Sequence, residues 1–199
     1  RKACFLQAFA AEMPVCIRPG ERIVGSQRFM APPWEAILGP DAARALDCRG
    51  NLGHIVVDYG RVLRRGVAGL RDDIAAMPVR DDCGRRNQAA FRQVLEALAC
   101  FIRRHGDAAA CAGVEDVAAV CHWLAEKPPC TFHQALQLTW FVQVFLHAES
   151  PSTAAISFGR FDQFVGPYLN RDLAEGILDL SEARELLACF WLKCCEGDE

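Results

Sequence analysis

Apolar residues recur along this chain mostly at the three- and four-residue spacings of helices that face a core. Phe5, Phe9 and Met13 fall four apart and predict a helix over residues 2–13, ended by Pro14 because a residue before proline avoids helical geometry. Leu63, Val67, Leu70 and Ile74 predict a second over 59–77, although Gly66 and Gly69 each cost it roughly 1 kcal/mol against alanine. Phe91, Val94, Leu95, Leu98 and Ile102 predict a third over 91–105. The pattern resumes over 114–124 until Lys127-Pro128-Pro129 breaks it. Residues 132–147 are apolar nearly all round, as in a helix enclosed by others. A last helix carries Leu187, Phe190, Trp191 and Cys194, with Ser181 as its N-cap. Two short extended pieces, Val15-Cys16-Ile17 and Arg22-Ile23-Val24, flank a turn at Pro19-Gly20, and Ile156-Ser157-Phe158 begins a strand before Gly159. The interval 27–53 reads as loop with one short helix near 41–46. The pattern as a whole predicts a helix-rich α/β fold, helices packed around a few short strands, with no internal repeat and no boundary within 1–199.

Composition narrows the function classes. A length of 199 residues is one domain's worth of chain, and 52% hydrophobic against 24% charged content supports a sizeable core. Lys and Arg number 22 against 25 Asp and Glu, a net charge of −3 that lacks the basic excess of a nucleic-acid binder. The longest apolar run, Leu138 to Leu146, is interrupted by Thr139 and Gln143 and falls far short of the roughly 20 residues of a membrane span. The 11 cysteines are odd in number, form no CxxC pair and sit in helix-like stretches. They are expected to be reduced, mostly buried as small hydrophobes, in a cytoplasmic protein. The chain begins without a methionine and stops at Glu199 straight after a helical run, which reads as a piece of a longer protein.

Two polar clusters could carry chemistry. His54 and Asp58 precede a helix, where free backbone N–H groups suit ligand contact; the local alternative is a turn histidine with Asp58 as N-cap. Ser157-Phe158-Gly159-Arg160-Phe161-Asp162-Gln163 follows the all-apolar helix, so its polar groups need partners. A buried Arg160–Asp162 network fixing a turn competes there with a substrate-binding role. Cys194-x-Glu196 invites a nucleophile reading, but Cys194 lies on an apolar stripe. His105, His122, His133 and His147 show no metal-ligand spacing.

The order of these segments resembles the glycyl radical enzyme superfamily, the pyruvate formate-lyase-like proteins. Met13-Pro14 with Pro19-Gly20-Glu21-Arg22-Ile23-Val24-Gly25 is similar to its "MP…GE.IVG" block. Gly53-His54 through Asp58-Tyr59 to Val62-Leu63 and Gly66 resembles "GH…DY..VL..G". Thr131-Phe132-His133-Gln134-Ala135-Leu136-Gln137 with Trp140-Phe141 resembles "TFHEALQ..WF", and Ser157 to Gln163 with Pro167-Tyr168 resembles "S.GRFDQ…PY".

That resemblance implies a partial barrel of the family type, helices wrapped around strands. It implies chemistry through a thiyl cysteine, in a Cys-x-Glu setting in many members, and a C-terminal radical glycine, both beyond this chain. Cys194-x-Glu196 is then a decoy by position, and the 199 residues alone are expected to be inactive. His54 matches a position that is arginine in pyruvate formate-lyase and histidine in dehydratase-type members. Asp58 matches an acidic pocket position of the choline-cleaving branch, and Ser157 and Asp162 match pocket positions of the hydroxyproline-dehydratase branch. The implied partners are a small-molecule substrate, a radical-SAM activating enzyme with a [4Fe–4S] cluster that installs the glycyl radical, and a second copy of the full-length parent as a homodimer; no nucleic acid or membrane is implied. A dehydratase or C–X bond lyase is the first reading. The alternatives are a non-catalytic binding or scaffold domain of the same descent, favoured by intervals 25–53 and 59–132 that are shorter than the family's, and a formate C-acetyltransferase.

Overall fold

The computed structural model describes residues 2–27, 54–149 and 156–197. The helix near 41–46 therefore lies outside the described residues. In chain order the elements are α1 (Lys2–Glu12), β1 (Ile55–Val56), α2 (Tyr59–Ala75), α3 (Asp82–Cys111), α4 (Glu115–Glu126), α5 (Phe132–Glu149), β2 (Ile156–Ser157), α6 (Phe161–Ala174) and α7 (Leu180–Cys194), closed by a 3₁₀ turn at Cys195–Gly197. The expected helix-rich α/β architecture is what forms.

The all-apolar stretch becomes the central helix. Phe132, Ala135, Leu136, Leu138, Trp140, Phe141 and Val144 of α5 are fully enclosed, and α1, α2, α3, α4, α6 and α7 all pack on it. Phe9 of α1, Phe101 of α3 and Phe145 of α5 form one ring cluster, with Phe101 centred 5.5 Å from Phe9 and 5.3 Å from Phe145. Polar residues of α5 are also buried, and several of them reach outward. Gln137 accepts from Val24 N at 2.8 Å and donates to Val24 O at 2.9 Å, while Trp140 Nε1 donates to Gly25 O at 2.9 Å. These bonds explain why Ile23-Val24 is buried yet is no strand: its backbone pairs with side chains of α5 rather than with another strand. Val15-Cys16-Ile17 is likewise irregular.

Four further expectations are corrected. Helix α3 begins nine residues before Phe91, where Asp81 accepts from Gly84 N; its exposed first turns carry no apolar periodicity. Helix α6 forms where none was expected, with Pro167 inside it. Helix α7 is capped not by Ser181 but by Asp179, whose carboxylate accepts from Glu182 N while Glu182 accepts from Asp179 N, a reciprocal capping box. The cysteines are mostly not buried. Cys4, Cys16, Cys83, Cys111, Cys130 and Cys195 are exposed and Cys121 alone of the ten described is enclosed, because the others fall in turns or on outward helix positions.

Helix α2 is broken once. Gly66 adopts φ 62°, ψ 178°, and a Cβ there would stand 2.7 Å from Pro128 Cα, so only glycine lets the α4–α5 connection approach.

Candidate functional site

Strands β1 and β2 pair in parallel, Ile55 opposite Ile156 and Val56 opposite Ser157. This register brings the two polar clusters side by side from about a hundred residues apart in sequence. Each strand then runs into a helix through the same tight turn. Tyr59 N donates to Val57 O at 2.8 Å and Phe161 N to Gly159 O at 2.9 Å. Asp58 (φ −72°, ψ 71°) and Arg160 (φ −83°, ψ 69°) hold the middle of these turns in the inverse γ conformation. Gly159 has φ 65°, and a Cβ on it would meet Val56 Cγ1 at 2.7 Å, so the two turns touch only because it is glycine.

Within this frame His54 is exposed and adopts φ 61°, the only positive φ of a non-glycine among the described residues. Such a conformation costs a non-glycine residue of order 1 kcal/mol or more and is over-represented at functional sites. Asp58 is exposed and caps α2, its Oδ1 accepting from Arg61 N at 2.9 Å. Ser157 Oγ accepts from Gly159 N at 3.0 Å. Arg160 grips Asp162 with Nε and Nη2 at 3.2 and 3.0 Å. The buried network that competed with a substrate-binding role is not what forms: both side chains are 70% exposed, because the turn lifts them off the sheet. The guanidinium holds the Asp162 carboxyl below its usual range, and the carboxylate raises Arg160 in turn.

Between the two turns lies a cavity of about 520 Å³, lined by Asp58, Arg64, Phe158, Arg160, Gln163 and Tyr168 among others. It opens at the carboxyl ends of parallel strands, where ligands of open α/β sheets bind, and its volume suits a small molecule. Asp58 lies on its wall; Ser157 is next in sequence to Phe158 of the wall and Asp162 is bonded to Arg160 of it, whereas His54 stands two residues before the first wall residue, Val56, and is not part of the lining. Its floor is tied to the core. Tyr59, 1% exposed, donates its hydroxyl to Gln143 Oε1 at 2.6 Å, and Gln143 Nε2 donates to Ile156 O at 3.1 Å. One glutamine of α5 thus fixes both strand–helix units. Burial pushes the Tyr59 phenol far up and that of Tyr168 up more modestly. Gln163 belongs to the second polar cluster; Arg64 and Tyr168 were not among the candidates weighed for chemistry. On a helix the outward arginine reads as ordinary solvated surface, and only the β1–β2 register shows what it faces.

The Cys194-x-Glu196 unit is built otherwise. Burial pushes the Cys194 thiol up to about 11, and its Sγ donates to Phe190 O at 3.4 Å. Glu196 is engaged by Lys193 Nζ at 3.0 Å, Arg18 Nη1 at 3.3 Å and Ser26 Oγ at 3.0 Å. Among the described residues no group of three or more His, Cys, Asp or Glu side chains is placed to hold a metal ion. No helix among them is long and apolar enough to cross a membrane.

Residues 45–197 match the family described as pyruvate formate lyase-like. The chain is 33% identical over 156 residues to an isethionate sulfite-lyase of Nitratidesulfovibrio vulgaris, covering 69% of this chain and 19% of that protein. It is 33% identical over 178 residues to an Escherichia coli (strain K12) protein named a probable dehydratase, covering 78% of this chain and 22% of the other. It therefore spans about a fifth of the length of these curated relatives. The crystal structure of a glycyl radical enzyme from Archaeoglobus fulgidus superposes with a TM-score of 0.78 at 21% identity, over 98% of this chain and 35% of that one, which speaks for the fold.

Proposed function

The chain belongs to the pyruvate formate lyase-like family, and from that premise we propose that it contributes one wall of the substrate pocket of a glycyl radical lyase or dehydratase. The observation that supports this reading is the parallel β1–β2 register, which pairs the segment carrying His54 and Asp58 with the one carrying Ser157 and Asp162 next to a cavity that Asp58 lines. In the whole enzyme a thiyl cysteine and a stored glycyl radical, installed by a radical-SAM activating enzyme with a [4Fe–4S] cluster and contributed by residues outside this chain, supply hydrogen abstraction. The residues described here bind and orient. His54 presents an imidazole to a substrate hydroxyl or amine, and Ser157 offers a hydroxyl. Asp58 or Asp162, or the imidazole itself, takes or gives the proton that accompanies loss of the leaving group. The relatives are named for sulfite loss and for dehydration, both cleavages of a bond next to a carbon that has lost hydrogen. The setting is an anaerobic cytoplasm, and the whole enzyme works as a homodimer.

A second reading, a non-catalytic binding domain of the same descent, is favoured by one observation: Asp58 and the Arg160–Asp162 pair are already satisfied within their own turns. Titration of the 199-residue chain with isethionate, glycerol and trans-4-hydroxy-L-proline, followed by amide NMR, tests the pocket. Shifts at His54, Asp58, Ser157 and Asp162 with at least one of them are expected, and shifts at none would overturn it. After anaerobic treatment with an activating enzyme, the chain alone should give no doublet in electron paramagnetic resonance.

A further inference from the structure

We propose that Arg64 makes the cavity between the two turns selective for an organic anion, a small molecule carrying a carboxylate or sulfonate on an apolar body. The inference rests on the reading of this end of the sheet as the substrate face. Of the two guanidiniums on the cavity wall, that of Arg160 is occupied by Asp162 through two bonds. That of Arg64 has no hydrogen bond or ion pair among the described residues, and Asp73, the acid on the same helix, is taken by Arg61 and Arg65.

Its position is set by Gly60, one turn earlier on α2. A Cβ built on Gly60 would stand 3.2 Å from Arg64 Nη1 and 3.5 Å from Asp58 Oδ1. The guanidinium lies across the space a side chain would fill, folded back toward the cavity and held off Asp58 by more than ion-pair distance. Its charge is felt at the Tyr168 phenol on the opposite wall. Around it the cavity offers Gln163, an uncharged amide, the Asp58 carboxylate, whose Oδ1 is engaged by Arg61 N, and an apolar floor of Phe158, Phe164 and Leu63. A free forked cation over an apolar floor recognises a planar or tetrahedral anion with a short hydrocarbon part. It gives no such advantage to a neutral diol, and it disfavours a quaternary ammonium.

The test titrates the 199-residue chain, at constant ionic strength, with ethanesulfonate, propionate and neutral 1,2-propanediol, reading amide shifts. Both anions are expected to shift Gly60, Gln163 and Tyr168 with millimolar affinity. Arg64→Gln should weaken both at least tenfold and leave any diol response unchanged. Arg64→Lys, which keeps the charge and loses the fork, should fall between. Gly60→Ala should weaken anion binding several-fold by displacing the guanidinium, and because alanine is the better helix former this variant stays folded. Anion binding that ignores Arg64→Gln would overturn the proposal. If the anions instead shift His54 and Ser157 regardless of Arg64, the substrate face stands and its anion grip does not. If no probe shifts either group, both readings fall.

Discussion

The polar residues of α5 and those at the mouth of the sheet obey opposite rules. On α5, Gln137, Thr139 and Gln143 are at most 3% exposed, and each spends its hydrogen bonds on another group of the protein. At the strand ends, His54, Asp58, Ser157, Arg160 and Asp162 are exposed, and their bonds stay within a few residues. Buried polar groups must be paired because an unpaired one costs more than a hydrogen bond returns. The exposed ones can exchange a short-range partner for a ligand at little cost. Sequence treats the two sets alike, as polar letters near apolar runs, yet the first builds the frame and the second is left available for chemistry.

The sharpest way to break this contrast is Gln137→Leu. It strands both the N–H and the C=O of Val24, and at roughly 1–3 kcal/mol for each buried unpaired group the chain should lose roughly 2–6 kcal/mol in urea denaturation.

A comparable effect comes from pH through His105, 3% exposed, whose Nδ1 donates to Phe101 O at 2.8 Å. Burial lowers its pKa from 6.5 to about 4. Between those values the unfolded chain takes up a proton that the folded one refuses. Stability should therefore be flat above pH 6.5, fall by about 3 kcal/mol as pH drops to 4, and level off below, as far as this group sets it. His133, lowered mainly by burial as well, adds in the same direction. Denaturation at pH 7.5 and 4.5 measures the slope, which His105→Gln should reduce.

Tyr59→Phe removes the hydroxyl bond to Gln143 and should cost about 1–2 kcal/mol. It should also broaden the amide signals of Ile156 and Ser157, since Gln143 then holds β2 without its second anchor. Smallest of all, Asp162→Asn should leave the melting temperature unchanged within error, because exposed ion pairs contribute little. Should that variant unfold the chain, the division between frame and site would be wrong.

The helices were legible because burial writes itself into spacing: Phe5-Phe9-Met13, Leu63-Val67-Leu70-Ile74 and the apolar run of α5 each became a helix. What was hidden had no spacing to show. The first turns of α3 are solvated on every side, α6 contains Pro167, and the capping box of α7 lies two residues before the serine that looked the part. Burial of a cysteine depends on which face of its helix meets a neighbour, so chemistry alone misjudged six of them. At the site, motif order pointed to the two clusters, while the conformation of His54 and the role of Gln143 arise from tertiary contacts that no local pattern encodes.

The β1–β2 pairing also has a consequence in time. Contacts within the α3–α4 pair span few residues, whereas Ile55 meets Ile156 only after about a hundred intervening residues have been closed into a loop. Loop closure of that length is entropically unfavourable until other contacts offset it, and non-local pairings slow folding. The helical body therefore assembles first and the cavity last. A refolding chain should recover its far-ultraviolet helix signal before β1 and β2 pair, and nascent chains with complete helices would still lack the cavity beside that pair.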